Sequence, residues 1–72
     1  MDVVYVVFDM DNTIMGVYRT LEGAKKSALE EIDEYCERFK CTDSEKSSYI
    51  SELNDELYVD EIVYISPETL LD

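Results

Sequence analysis

Two carboxylates two positions apart, Asp9 and Asp11, are the side chains of this sequence best suited to chemistry. They follow the apolar residues 3–8, which are enough for one buried strand, and a second apolar segment begins at Thr13. Two carboxylates can divide the roles of nucleophile and general acid/base when their surroundings give them different pKa values. The same carboxylates, with Asn12, are equally typical of a turn between antiparallel strands. We favour the turn, which predicts a β-hairpin instead of a catalytic loop.

The segment FDMDNTI at positions 8–14 resembles the first motif of haloacid dehalogenase-type phosphatases, in which Asp-x-Asp-x-Thr follows a hydrophobic strand. The resemblance implies a magnesium-dependent phosphatase with Asp9 as the nucleophile and Asp11 as the acid/base. Residues 62–66 resemble the second motif of that family, a strand that ends in the phosphoryl-binding Ser66. The family also needs a lysine and a further acidic motif after this point, and a doubly wound parallel sheet with about 30 residues for each βαβ unit. Because the sequence lacks that lysine and the length for such a sheet, we interpret the resemblance as coincidental and predict no enzymatic activity, no cofactor and no metal site.

Length and composition predict one small folded domain that spans residues 1–72. Hydrophobic residues make up 46% of the chain and aromatic residues 11%, which is too apolar for a disordered chain despite its charge. At this size only about 60% of the surface of the unfolded chain can be buried, so the core must be small. No apolar segment is long enough for a membrane helix and the N-terminus lacks the basic region of a secretory signal. We therefore expect a soluble, cytoplasmic protein.

Charge is the most unusual property of the sequence. Eighteen acidic residues against six basic ones and no histidine give a net charge of −12. Direct binding to nucleic acid is disfavoured, because phosphate contacts need Lys and Arg. Such a surface either keeps the protein soluble or binds a partner with a basic surface, and both interpretations stay open.

The apolar pattern predicts two strands followed by a helix. In residues 3–8 both alternating sets of side chains are apolar, which is typical of a central strand. The second strand, in residues 13–19, is a better candidate for an edge and carries Gly16, where a bulge or a close backbone approach is expected. Thr20 is a suitable N-cap for a helix that ends near Lys40. The apolar stripe of that helix is expected to run through Ala24, Ala28, Ile32 and Cys36.

A second helix and a third strand complete the predicted fold. Thr42 and Glu45 fit a capping box that starts the second helix. Because only two or three residues separate the helices, they should form a helical hairpin or one strongly bent helix. Residues 58–65 are predicted to form a third strand, and residues 66–68 a short closing turn. The predicted fold class is therefore α+β, in the order β-β-α-α-β, with a three-stranded sheet and helices on one face. The other face is then left uncovered, which favours a partner or a homodimer formed through the sheet.

Cys36 and Cys41 are expected to be free thiols. The chain has no histidine and no second cysteine pair, so zinc would lack ligands. Cys36 also lies on the apolar stripe of the first helix, where a buried thiol is the simplest interpretation.

A compact, very acidic ββα-type chain with the segment VVYVVFDMDNTIMGVYRTLEGAKKSA resembles the small accessory proteins with which bacteriophages inhibit host enzymes and defences. The resemblance implies a viral anti-defence inhibitor, such as an anti-CRISPR or anti-restriction protein, that acts in the host cytoplasm as a DNA mimic on the basic groove of a host protein. A non-catalytic regulatory or assembly module is a further alternative, besides the phosphatase. For the inhibitor, the partner-binding residues are expected to be the acids of the helix faces and of the C-terminal part: Glu30, Glu31, Asp33, Glu34, Glu37, Glu52, Asp55, Glu56, Asp60 and Glu61.

Overall fold

The computed structural model describes residues 2–70, which form one antiparallel sheet and two helices. In this range the fold is α+β as predicted, but the sheet has four strands instead of three, arranged in the order second, first, fourth, third. In chain order the elements are β1 (Asp2–Asp9), β2 (Ile14–Tyr18), α1 (Leu21–Phe39), α2 (Asp43–Glu56), β3 (Tyr58–Val59) and β4 (Val63–Leu70).

The prediction of a single third strand is wrong because a tight turn divides it. Residues 58–65 form β3, a turn and the first part of β4, and the Ile62 N–H donates to the Val59 carbonyl at 3.1 Å within the turn. Glu61 adopts a left-handed conformation there, with a φ of 65°. Glutamate is uncommon in this region, which favours Gly, Asn and Asp, so the residue type of Glu61 does not indicate the turn.

The closing turn predicted at residues 66–68 is also wrong, because β4 continues through them. Pro67 pairs with Tyr5 of β1 in the β1–β4 register. Proline has no N–H to give to a ladder, so strands tolerate it mainly where one edge is open. β3 pairs only with Val63 and Tyr64, which leaves the edge of β4 without a neighbouring strand at Pro67.

β1 and β2 form the predicted hairpin, and β1 is an inner strand between β2 and β4. A bulge interrupts the register between Val7, which faces Gly16, and Phe8, which faces Ile14. A Cβ atom on Gly16 would lie 2.7 Å from the hydroxyl oxygen of Tyr18, whose ring covers the glycine. The expected bulge is therefore confirmed beside Gly16, whereas the close approach comes from a side chain instead of a second backbone.

The predicted ends of the helices are confirmed by their capping interactions. The Thr20 hydroxyl accepts from the Gly23 N–H at 3.1 Å at the start of α1, and Lys40 ends the helix in a left-handed conformation. In the capping box of α2, the Glu45 N–H donates to Thr42 Oγ1 at 3.1 Å and the Thr42 N–H donates to Glu45 Oε1 at 3.0 Å. Within residues 2–70, neither helix combines the length and the apolar character that crossing a bilayer requires.

The core lies between one face of the sheet and the two helices. Ala24, Ala28 and Ile32 of α1 are fully buried and share this core with Val7 of β1. The two alanines have small side chains, so the helix can lie close to the sheet. The other members of the core are Cys36, Leu53, Val59, Ile62, Val63 and Ile65.

The opposite side of the sheet, called the outer face below, is also apolar. Strand pairing places Val6 and Phe8 of β1 on it together with Val17 of β2 and Tyr64 of β4. Val6 exposes only 9% of its surface, yet it does not belong to the core that the helices close. Phe8 and Tyr64 are half-buried, whereas Val17 is exposed. The apolar side chains of the outer face therefore partly cover one another.

Candidate functional site

Asp9 organises the turn of the β1–β2 hairpin. Its Oδ1 atom accepts from the N–H groups of Asp11 at 2.9 Å and Thr13 at 3.0 Å. The Asp9 N–H donates to the Thr13 carbonyl, and the Asn12 N–H donates to the Asp9 carbonyl. Asn12 has a positive φ of 61°, which asparagine tolerates well in turns. The carboxylate that the phosphatase motif would use as a nucleophile is thus the acceptor of a hairpin turn.

The surroundings of Asp9 differ from those that the phosphatase resemblance implies. β1 continues directly into antiparallel β2, whereas a doubly wound sheet needs a helical crossover here. Ser66, the counterpart of the phosphoryl-binding serine, pairs with Val6, and Asp9 pairs with Val63. Because side chains alternate along a strand, Ser66 lies on the outer face and Asp9 on the side that faces the helices. The fold therefore separates two residues that this chemistry would bring together.

The acids predicted to bind a partner lie on α1, on α2 and in the β3–β4 turn. Those on α1 are placed away from its buried stripe, as the helical spacing predicts. All of them except Glu31 are exposed. The exposed set comprises Glu30, Asp33, Glu34, Glu37, Glu52, Asp55, Glu56, Asp60 and Glu61.

Asp33 already has a partner within the chain. Its carboxylate forms an ion pair with Lys46, and this interaction raises the pKa of the Lys46 ammonium group. The pair connects α1 with α2, but both side chains are well exposed to water, so it contributes little to stability. In the part of the chain that the structure describes this is the single ion pair. The other predicted acids therefore form no ion pair with a basic side chain of these residues.

Glu31, the half-buried member of the predicted set, links α1 to the end of β1. Burial raises the pKa of its carboxyl group, the charges of Glu34 and Asp9 raise it further, and Arg38 acts in the opposite direction. α1 packs against β1, the strand that ends at Asp9, which accounts for the influence of the Asp9 charge on Glu31.

Asp9 also lines a surface cavity of about 240 Å³ beside the β3–β4 turn. Asp60, Glu61 and the tyrosines Tyr58 and Tyr64 belong to the same lining. The Tyr58 hydroxyl donates to Asp60 Oδ1 at 2.9 Å, and this hydrogen bond and the nearby charge raise the pKa of Tyr58. The cavity thus combines carboxylates with aromatic rings, and both kinds of group attract cations.

We call the set Glu34, Glu31, Asp9, Asp60 and Glu61 the acidic ridge, because it leads from α1 past the end of β1 to the β3–β4 turn. The sequence indicated all of these residues except Asp9 as partner-binding acids, but in two separate regions. Sequence patterns of a few residues cannot show that the two regions are neighbours, because their proximity depends on the pairing of β1 with β4 and on an unpredicted turn.

Cys36 and Cys41 are free thiols, as predicted. Cys36 is buried, and burial together with a hydrogen bond to the Cys41 thiol raises its pKa to about 11. The Cys41 N–H donates to the Cys36 carbonyl at 3.0 Å just beyond α1. Across residues 2–70, no three His, Cys, Asp or Glu side chains are grouped so that they could hold a metal ion.

Comparison of the chain with protein-family models, curated proteins and solved structures gave no match. Its function is therefore inferred from the fold and from the chemistry of its surfaces.

Proposed function

We propose that this chain is a non-catalytic binding protein whose acidic ridge and acidic helix faces occupy a basic surface of a partner protein. The observation that carries the proposal is a net charge of −12 combined with a single internal ion pair, Asp33 with Lys46, among residues 2–70. Exposed carboxylates at this density repel one another and gain nothing from burial. A basic partner relieves this repulsion, so the charge that disfavours the isolated chain favours the complex.

The proposed partner is a protein that holds nucleic acid in a basic groove. Such a groove binds phosphates through Lys and Arg, and the exposed carboxylates of α1 and α2 offer negative charge to the same cations. The resemblance to small acidic bacteriophage proteins extends the proposal to a host enzyme or defence protein, for example a CRISPR nuclease. The chain then acts as an inhibitor by competing with the nucleic acid.

The cavity of the acidic ridge is the proposed centre of this interface. Asp9 and Asp60 line it together with the rings of Tyr58 and Tyr64, so an entering cation meets both carboxylates and aromatic faces. A guanidinium group suits it well, because it can bond a carboxylate in its plane and stack on a ring.

The experiment that tests the proposal starts with recovery of the partner from the producing organism or its host and identification by mass spectrometry. The recovered protein is expected to bind duplex DNA or RNA, and the chain should compete with that nucleic acid. Its affinity for the partner should fall steeply between roughly 0.05 and 0.5 M salt, because the interface is electrostatic. Affinity that is independent of salt, or binding together with the nucleic acid, would contradict the proposal.

A triple variant tests the helix face directly. Glu30→Gln, Glu34→Gln and Glu37→Gln remove exposed charges from α1, so circular dichroism should show an unchanged fold. We expect affinity for the recovered partner to fall by about tenfold or more, while a matched control should change it by less than about threefold. An equal loss in both variants would reduce the effect to net charge alone. The control removes the same charge elsewhere through Asp11→Asn, Glu22→Gln and Asp43→Asn.

A further inference from the structure

The outer face of the sheet has an exposed apolar centre. Phe8 and Tyr64 stack across β1 and β4 with ring centroids 4.7 Å apart. Val6 lies beside them, and Ile14 and Val17 extend the surface onto β2 with 59% and 58% of their area exposed. Neighbouring apolar side chains exposed together on one sheet face are typical of an interaction surface.

Acidic side chains lie at both ends of this centre. The β1–β4 register places Asp2 and Glu68 on the outer face at one end, and both are exposed. At the other end Tyr58 pairs with Tyr64, and its hydroxyl holds the Asp60 carboxylate at 2.9 Å. The aromatic rings are therefore followed directly by a carboxylate.

Cations are absent from the described strands. All six Lys and Arg residues lie between positions 19 and 46, whereas the strands fall within residues 2–18 and 58–70. Arg19 is the cation next to the outer face, and it lines a cavity with Asp2 and Leu70 at one end. The acids at that end still exceed this single positive charge, so the face is apolar in the middle and negative at its ends.

We propose that the outer face is a docking surface for a segment of another protein with apolar or aromatic side chains at its centre and arginine or lysine at both ends. The centre of the segment covers Phe8, Tyr64 and Val17. One cationic end meets Asp2 and Glu68, and the other meets Asp60, where a guanidinium can also lie over a tyrosine ring. Charge complementarity selects this occupant. The surface lies on the opposite side of the sheet from the helices and adds an apolar face to the function proposed above, with which it shares only the end formed by Asp60, Tyr58 and Tyr64.

A second copy of the chain, expected from the sequence alone, fits this surface less well. Because both ends are acidic, any two-fold stacking of two outer faces sets carboxylates against carboxylates. Charge thus favours a short basic segment over a homodimer.

The test uses the isotope-labelled full chain and two synthetic peptides of about nine residues, enough to span β1 in extended form. The peptides share one apolar centre and carry either arginine or glutamate at both ends. The arginine peptide should shift the amide resonances of β1, β2 and β4 and bind at least about tenfold more tightly than the glutamate peptide. Equal binding of both peptides, shifts confined to the helices, or no shift at millimolar arginine peptide would overturn the proposal.

Three charge variants make the test specific to the outer face. Val17→Lys and Glu68→Lys are both at exposed positions of that face. Each should weaken binding of the arginine peptide by about tenfold and strengthen binding of the glutamate peptide. Glu22→Lys makes a comparable change at an exposed position of α1 that belongs to neither proposed surface, and it should alter arginine-peptide binding by less than about threefold. An equal effect of Glu22→Lys would overturn the proposal, as would a peptide-free dimer that Val17→Lys dissociates in sedimentation.

Discussion

Phe8 and Tyr64 stack nearly parallel across β1 and β4, with their planes 12° apart and their ring centroids separated by 4.7 Å. Tyr58 continues this row, with its ring centroid 6.3 Å from that of Tyr64. Cross-strand aromatic pairs bury part of each other's surface and stabilise a sheet without a covering layer. The two faces of the sheet therefore differ in kind. Helices close one face, and aromatic rings partly cover the other.

Alanine substitutions of two isoleucines test this difference. Ile32 is fully buried on the side of α1 that faces the core, whereas Ile14 exposes 59% of its area on the outer face. We expect Ile32→Ala to lower the free energy of unfolding by about 3 kcal/mol, because it leaves a cavity in the core. Ile14→Ala should change it by less than about 0.5 kcal/mol. Urea denaturation followed by circular dichroism measures both, and similar losses would mean that the outer face is covered in solution.

Local signals predicted the parts of the fold whose causes lie within a few residues. The Thr42 capping box and the Thr20 cap satisfy amides of the adjacent helical turn, so they were visible in the sequence. Gly16 indicated the bulge through its residue type, because an isolated glycine in a strand often marks such an irregularity. The buried stripe of α1 followed from helical periodicity alone.

The features that the sequence did not predict depend on distant pairing or on unusual backbone conformations. Glu61 turns the chain between β3 and β4 with a positive φ that its residue type does not signal. Pro67 continues a strand because β3 stops before it. Net charge identified the exposed acids, but only the helical hairpin shows that Lys46 pairs with Asp33. The acidic ridge likewise requires the tertiary fold.

Asp9→Ala tests the structural role of the hairpin acid. The substitution removes the acceptor of two backbone N–H groups, those of Asp11 and Thr13. We expect a loss of about 1–2 kcal/mol in the free energy of unfolding, comparable to the loss of a helix cap. Asp11→Ala is the matched control, since the exposed Asp11 side chain takes no part in these bonds, and it should cost less than about 0.5 kcal/mol. Equal losses in urea denaturation would show that the Asp9 carboxylate does not stabilise the turn and that the backbone hydrogen bonds alone maintain it.

The same residue permits a test of catalysis. We expect the chain to release no phosphate from an aryl phosphate in the presence of magnesium, because Asp9 and Ser66 lie on opposite faces of the sheet. Asp9→Asn should therefore be indistinguishable from the unchanged chain in a phosphate-release assay. Magnesium-dependent release that Asp9→Asn abolishes would show that the phosphatase motif is functional.

Glu31→Gln tests the electrostatics of the acidic ridge. Burial and the charges of Glu34 and Asp9 raise the pKa of the Glu31 carboxyl in the folded chain, so its ionised form opposes folding. The variant should therefore be more stable at pH 7 by roughly a few tenths of a kcal/mol. As the pH falls through the raised pKa of the folded state, the native carboxyl takes up a proton and this advantage disappears.

Urea denaturation between pH 7 and about pH 4, near the ordinary pKa of glutamate, measures the Glu31 effect. Glu30→Gln, at an exposed position of the same helix, is the matched control and should show a smaller difference at pH 7. Lower stability of Glu31→Gln at pH 7 would mean that attraction to Arg38 outweighs burial and repulsion.

The two cysteines are expected to differ strongly in reactivity. Burial and the hydrogen bond to Cys41 raise the pKa of the Cys36 thiol to about 11. At pH 8 such a thiol is ionised in roughly one molecule in a thousand, and only the thiolate reacts readily with alkylating agents. Cys36 is also buried on the side of α1 that faces the core, whereas Cys41 follows the helix and is partly exposed.

Iodoacetamide labelling at pH 8 with peptide mass spectrometry tests this difference between the thiols. Cys41 should be labelled at least about tenfold faster than Cys36 in the folded chain, and the two rates should converge in urea, where burial and the hydrogen bond are lost. Cys41→Ser keeps a hydroxyl that can bond to the Cys36 thiol, so Cys36 should stay slow in that variant. Equal labelling of both cysteines in the folded chain would show that the end of α1 opens readily and that Cys36 does not belong to a stable core.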